Sequence, residues 1–230
     1  MDSGLYIAAS GMLAEQVRQN QLSNDLANSS TPGYKPQEGQ QQSFGALLLA
    51  NTSTGQTVGT IDTGVTVGKL VTDTTQAPLQ STGQPLDFAI GGQGYFAVRT
   101  AAGVSYTRDG QFSSNAAGQL TDAQGDPVLS QAGAPILVSA KGTVSASALG
   151  VFNANNVAQK GGTLLSGTAA GRGTGVVHQG ELEQSGVDPI QTMTDMIASL
   201  RAYQAGQSAL QSIDQTMQED ATSVPSLGGS

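Results

Sequence analysis

Apolar residues at the two ends of the chain recur in steps of three and four, whereas the middle is broken into short runs of strand type. Near the start, Leu5, Ala8, Met12, Glu15, Gln19, Leu22 and Leu26 keep the three-four spacing, and five of these seven are apolar. Near the end, Met193, Met196, Leu200, Tyr203, Gln207, Leu210, Asp214 and Met217 do the same, with six of eight apolar. Each pattern predicts a helix of roughly 25 to 30 residues, about 40 Å long. The seam is narrow, as in coiled coils. A helix cannot bury such a seam by itself, so each needs a partner helix. The expected assembly interface is therefore Leu5, Met12, Leu22, Leu26, Met193, Met196, Leu200, Tyr203 and Leu210.

Local chemistry marks the ends of both helices. Asp188 is a good N-cap, because its carboxylate accepts from free first-turn N–H groups. Pro189 follows where a missing N–H costs nothing, and Gln191 is placed to close a capping box. The first helix, expected over residues 3 to 28, stops at Asn28-Ser29-Ser30-Thr31-Pro32-Gly33. Gly4 and Gly11 weaken it by about 1 kcal/mol each relative to alanine. It is expected to fray in an isolated monomer and to gain its stability from packing.

Between the helices, residues 36 to 60 are rich in Gln, Gly, Thr and Ser and read as an extended linker. Their apolar island, Phe44 to Leu49, reads as a short helix or a docking strand. Residues 61 to 150 read as strands: Val65 to Val71, Leu86 to Ile90, Tyr95 to Val98, and Val104 to Arg108 ended by the hairpin-type turn signal Asp109-Gly110. Phe112, Leu120, Val128, Ile136 and Val144 continue the pattern, with no internal repeat of solenoid length. Residues 150 to 184 read as irregular, and the tail as disordered. The expected fold is α+β: long N- and C-terminal helices pairing as a coiled coil, with a small central antiparallel β domain. Its segments are helix 1–35, linker 36–60, β domain 61–184, helix 185–221 and disordered tail 222–230.

Composition narrows the function. Among 230 residues there are 31 glycines, no tryptophan and no cysteine, so disulfides and thiolate metal sites are excluded. Net charge is −8, and the nine basic residues are scattered singly, which argues against nucleic acid and against an anionic membrane surface. No run approaches the roughly 18 apolar residues of a membrane span. The opening Met1-Asp2-Ser3-Gly4 lacks the basic region of a secretory signal, so no cleaved signal is expected.

Candidate chemistry is sparse. Gly91-Gly92-Gln93-Gly94 and Gly171-Arg172-Gly173-Thr174-Gly175 invite a phosphate-loop reading, but neither precedes a predicted helix, so both read as turns. His178 with Glu181 and Glu183 makes a poor zinc set and reads as a surface histidine. Asp87 and Asp109 would serve as a glycosidase pair only in a shaped pocket. Asp109 reads instead as a turn former and Asp87 as an exposed strand residue. Arg201 reads as a flank of the helix seam rather than an anion clamp. No catalytic residue, cofactor or metal is assigned, and the chain is expected not to be an enzyme.

Three stretches together resemble one family. Leu5 to Met12 with Arg18 to Lys35 is similar to the N-terminal signature of bacterial flagellar rod and hook proteins. Ala89 to Phe96, Tyr106 to Phe112 and Gly118 to Leu120 resemble its β-domain signature, and Leu182 to Asp188, Met193 to Ile197, Arg201 to Gln204 and Asp214 its terminal helix. Gly186 and Asp25 depart from it, each standing where the family commonly has asparagine. The resemblance implies a structural subunit of the basal-body rod, self-assembling through its terminal helices into an axial tube that transmits torque from motor to hook. It implies other rod and hook-basal-body proteins as partners. Export by the flagellar type III apparatus without a cleaved signal, and a place in the periplasmic rod, follow from the same resemblance. The Met193 to Ala198 run and the small size favour a proximal rod protein, with the distal one next. The alternative is a secreted β-rich adhesin or enzyme with helical ends.

Overall fold

The computed structural model describes residues 2–43, 46–50, 57–62, 65–140 and 142–223. In chain order they form α1 (Asp2–Ala27), β1 (Gln37–Ser43), β2 (Ala46–Ala50), β3 (Thr57–Asp62), β4 (Val65–Thr72) and β5 (Leu79–Ser81). Then come β6 (Phe88–Gly91), β7 (Phe96–Thr100), β8 (Gly103–Thr107), β9 (Ser113–Ser114) and β10 (Leu120–Thr121). Finally come β11 (Phe152–Gly161), β12 (Leu164–Arg172), β13 (Val176–Gln179), β14 (Glu181–Glu183) and α2 (Pro189–Ser223). The architecture is α+β, with a helix at each end and a β-rich middle. The chain divides into two compact units. One comprises Met1–Asn24, Gly39–Leu70 and Ile190–Ser230; the other comprises Asp25–Glu38 and Val71–Pro189.

In the first unit, the stretch read as linker carries strands among its described residues. β1 pairs with β4, and β2 pairs antiparallel with β3, setting Leu47 opposite Ile61 and Leu48 opposite Thr60. The apolar island is thus a strand from Ala46 onward; Phe44 and Gly45 lie outside the described residues, as do tail residues 224–230. The helices are close to their expected spans, although α2 continues to Ser223.

The second unit is built around β7. Phe96 and Val98 point into one core with Phe88, Phe112, Leu120 and Val128. Tyr95 and Ala97 point to the other side, into a second core with Tyr106, Leu129 and Leu165. Alternation of side chains across a strand produces this division, and burial of both faces explains why Tyr95 to Val98 is continuously apolar. Phe112 meets the Phe96 ring edge-on at 5.3 Å, a favoured aromatic geometry.

Residues 115–144 hold a short repeat that glycine spacing alone does not reveal. Leu120, Val128, Ile136 and Val144 recur every eighth position, and all four are buried. Before each lies a turn in which Asn115, Asp122, Ser130 or Ser139 accepts a backbone hydrogen bond from the glycine three residues on. Leu120 donates to Ile136, Val128 to Leu120 and Ile136 to Val128, so successive repeats stack.

Residues 150–184 are not irregular. β11 and β12 form a long antiparallel hairpin that joins the sheet in the order β11-β12-β8-β7. β13 pairs with β6 and β14 with β5. The β11–β12 register slips at three places, and Asn156 has φ 52 at the middle one. Such bulges bend a ribbon strongly. Asp109-Gly110 ends β8 without making a two-residue hairpin. A Cβ at Gly110 would lie 1.5 Å from the Phe88 carbonyl oxygen, so only glycine fits there.

Three carboxylates lie buried beside the first core: Asp87, Asp109 and Asp122. Asp87 is therefore not the exposed strand residue expected; its Oδ2 accepts from Thr82 Oγ1 at 2.6 Å. Burial pushes Asp109 up to about 6, opposed by the Gln111 amide and reinforced by the charges of Asp122 and Asp87. Burial also raises Asp122. An acid whose folded pKa is raised holds its proton better in the folded state. Its contribution to stability is full below the unfolded value near 4 and is lost as pH rises through about 6. We predict that Asp109→Asn stabilises the chain at pH 7.5 by about 2 kcal/mol. It should also flatten the decline in stability between pH 4 and 6, both read by urea denaturation at several pH values. A decline of unchanged steepness in the variant would assign it to other groups.

Candidate functional site

In the first unit the two helices touch along one side. Ser199 Oγ donates to Glu15 Oε2 at 2.6 Å. A Cβ at Gly206 would lie 2.9 Å from Met12 Cγ, and one at Gly4 would lie 3.7 Å from Ile213 Cδ1. These three pairings run in opposite directions along the helices. The covered side of α2 is Thr192, Met196, Ser199, Tyr203, Gly206, Leu210, Ile213 and Met217, none of them exposed. That is a three-four pattern, but it shares only alternate positions with the predicted seam. Met196, Tyr203 and Leu210 lie on it, whereas Met193 and Leu200 are 51% and 46% exposed. Small residues at 192, 199 and 206 give the covered side its close approach, as helix separation depends on the side chains at the contact. On α1 the expected Leu5, Met12, Leu22 and Leu26 are all partly covered.

Large apolar side chains remain uncovered on both helices. On α2 they are Ile190 (79% exposed), Met193, Ile197 and Leu200, one stripe at three-four spacing. On α1 they are Tyr6, Leu13 and Val17, again on one side, with Ile7 beside them.

The second unit contains a buried charged junction. Glu183 is fully buried; its Oε1 lies 2.6 Å from Lys35 Nζ and its Oε2 lies 3.0 Å from Arg108 Nη1. The Ala77 amide donates to the same Oε1 at 2.9 Å. Lys35 also donates to Thr75 O, and Arg108 to Ile90 O and Gly92 O. The Arg108 guanidinium lies 5.2 Å from the centre of the Tyr95 ring, a cation–π distance. Burial raises the Tyr95 hydroxyl, against the pull of Arg108.

Backbone bonds reinforce the junction. Gly33 N donates to Glu183 O at 2.8 Å and Gly186 N to Tyr34 O at 2.9 Å, so the segment after α1 and the segment before α2 run side by side. Ser185 Oγ donates to Asn28 O. The Tyr34 ring is fully buried, and its hydroxyl donates to Asp25 Oδ1 at 2.8 Å. Burial above all pushes that hydroxyl up to about 12. Gly33 has φ 65, and a Cβ there would lie 2.2 Å from the Arg108 carbonyl carbon. The turn Thr31-Pro32-Gly33 is thus fitted to the strand end it rests on.

The remaining sequence candidates are dispersed. His178 sits exposed in β13, its Nδ1 3.9 Å from Glu181 Oε2. Glu183, considered with it as a metal ligand, is committed to Lys35 and Arg108. The two glycine-rich stretches pack on each other: Gly175 N donates to Gln93 O, and β7 and β13 follow them rather than helices. Asp109 Oδ1 accepts from the Gln111 amide, as a turn former does. Arg201 is exposed on α2. Among the described residues no cluster of three or more His, Asp or Glu could hold a metal, and no helix is long and apolar enough to cross a membrane. Sequence reasoning missed the junction as a site, although each of its three charged members fell inside a quoted signature. The partners are 75 and 148 positions apart, so no local pattern links them.

The three charged residues of the junction, Lys35, Arg108 and Glu183, each lie in a segment that a known family matches. A family described as flagella basal body rod protein matches residues 5–35. The flagellar hook protein FlgE/F/G D1 domain matches residues 89–154, and the flagellar basal body rod FlgEFG protein C-terminal family matches residues 178–223. The chain is 32% identical to the flagellar hook-basal body complex protein FlhO of Bacillus subtilis, over 97% of this chain and 99% of that protein. It is 31% identical to the flagellar basal-body rod protein FlgF of Caulobacter vibrioides, over 99% of both. To the flagellar basal-body rod protein FlgG of Bacillus subtilis it is 30% identical, over 94% of this chain and 96% of the other. Similarity along nearly the whole length, at these identities, shows that the chain belongs to the flagellar basal-body rod protein family.

Proposed function

We propose that this chain is a structural subunit of the bacterial flagellar basal-body rod that assembles through its terminal helices. The observation that carries the assembly mode is the uncovered apolar stripe on α2, Ile190, Met193, Ile197 and Leu200, beside a covered face where Thr192, Ser199 and Gly206 alternate with larger residues. Full burial of a side chain of this size is worth roughly 1.5–3 kcal/mol. A stripe of them left in water is therefore a contact awaiting a partner.

The partner is another rod or hook-basal-body subunit, whose helices supply the complementary seam. The α1–α2 contact within one chain, from Ser199–Glu15 to Gly206–Met12, supports coiled-coil pairing as the way the helices enter that assembly. In this reading Leu5, Met12, Leu22, Leu26, Met196, Tyr203 and Leu210 serve the pairing, and Met193 and Leu200 serve contacts between subunits. An axial tube built in this way carries torque from motor to hook. Passage through the flagellar export apparatus and a proximal position in the periplasmic rod belong to the same proposal. The adhesin or enzyme alternative has no convergent polar pocket to support it among the sites described above.

The test is the surface stripe. Leu200→Asp and Ile197→Asp replace exposed side chains, so the folded monomer is expected to keep its circular dichroism and its melting temperature. Rod assembly, read by electron microscopy of basal bodies from cells carrying only the variant, is expected to fail, and motility with it. Normal rods from both variants would remove this stripe from the interface.

A further inference from the structure

We propose that Glu183 makes the segment before α2 a lock and the segment after α1 the part it holds, so the two are released in a fixed order. The inference rests on charge balance within the second unit and does not depend on the assembly reading. Lys35 and Arg108 are both buried and share one carboxylate. If residues 31–36 leave, Lys35 goes into water with them, Tyr34 is exposed, and Glu183 keeps Arg108 and the Ala77 amide. Asp25 loses the Tyr34 hydroxyl, but no buried cation is left without its anion. If residues 181–187 leave first, both buried cations lose their shared carboxylate, Arg108 has no other anion beside it, Lys35 keeps only the partly exposed Asp73 within electrostatic reach, and Leu182 and Val187 are exposed as well. A buried charge without its partner is far costlier than an exposed tyrosine. Segment 31–36 can therefore open alone, whereas opening of 181–187 takes 31–36 with it.

Five backbone amides, four bonded to carbonyls and one to the Glu183 carboxylate, report the two events separately. Asp73 N donates to Pro36 O, so its protection depends on the segment after α1. Gln184 N donates to Pro78 O, and Ala77 N to Glu183 Oε1, so theirs depends on the segment before α2. Gly33 N and Gly186 N cross between the segments and lose protection when either leaves. Sub-global openings of this kind are read by native-state hydrogen exchange.

In the unaltered full-length chain, Asp73, Gly33 and Gly186 are expected to exchange faster than Ala77 and Gln184. The core amides of Leu120 and Val128 should be slower than all five. In Lys35→Met, exchange at Asp73, Gly33 and Gly186 should quicken roughly ten- to hundredfold, the loss of a charge-assisted bond. Ala77 and Gln184 should not change. In Glu183→Gln all five should quicken. Equal quickening of all five in Lys35→Met would overturn the order, as would an unchanged Asp73 in Glu183→Gln. If Glu183→Gln folds too poorly to measure, the unaltered chain still decides. Ala77 and Gln184 exchanging as fast as Asp73 or faster would overturn the proposal.

Discussion

One buried carboxylate holds three distant parts of the β-rich unit together. Burying Glu183 with two cations is tolerable only because almost every polar group around it is answered. Its oxygens take Lys35, Arg108 and the Ala77 amide, and the spare cation hydrogens go to the carbonyls of Thr75, Ile90 and Gly92. Arg108 Nε is left without a hydrogen-bond partner, and the Tyr95 face lies close to the same guanidinium. A network of this kind is favourable when complete and expensive when partial. It therefore dictates much around it. Gly33 must lack a side chain so that the Thr31-Pro32-Gly33 turn can lie on Arg108, and Tyr34 must be buried for Lys35 to reach inward.

This dependence explains which parts of the fold were legible in the sequence. The helices announced themselves because a three-four pattern is local, and so did β6 to β8, whose apolar residues lie close together. The β11–β12 hairpin did not. Ala154, Asn155, Asn156, Ala158 and Gly161 have weak strand preference, and the ribbon is held by its pairing and bent by bulges rather than by an alternating apolar face. The eight-residue recurrence of Leu120, Val128, Ile136 and Val144 was present in the letters, but it sits below the repeat lengths usually searched. The burial of Asp87 and Asp109 had no local sign, because groups distant in sequence meet them, such as Gly180, whose amide donates to Asp87 O, and Thr163, whose side chain bonds Asp109. The junction was the least legible part, since charge pairing over 148 positions leaves no periodic trace.

The register of the C-terminal seam shows a different limit. Two faces of α2 each carry a three-four pattern; they share Met196, Tyr203, Leu210 and Met217 and stand one residue apart at the positions between. Periodicity favours the one with larger apolar residues, Met193 and Leu200. Packing inside the chain uses the other, where Thr192, Ser199 and Gly206 are small. Both follow from the same physics. A close contact within one chain needs small residues so that backbones can approach, and Gly206 against Met12 is that contact. Large residues on the adjacent face are then left without a neighbour.

That leftover face distinguishes the two units. The β-rich unit pairs Lys35 and Arg108 with Glu183, fills its cores and stacks its repeats, and the large apolar side chains it exposes, Val71, Val104, Leu137 and Val176, lie on different strands and a loop. The helical unit leaves Ile190, Met193, Ile197 and Leu200 in water on α2, and Tyr6, Leu13 and Val17 on α1. Low helix propensity at Gly4 and Gly11 makes α1 still more dependent on contacts from outside itself. In the proposed assembly the apolar helices supply the contacts between subunits, while the charge balance at Glu183 is held by other stretches of the chain.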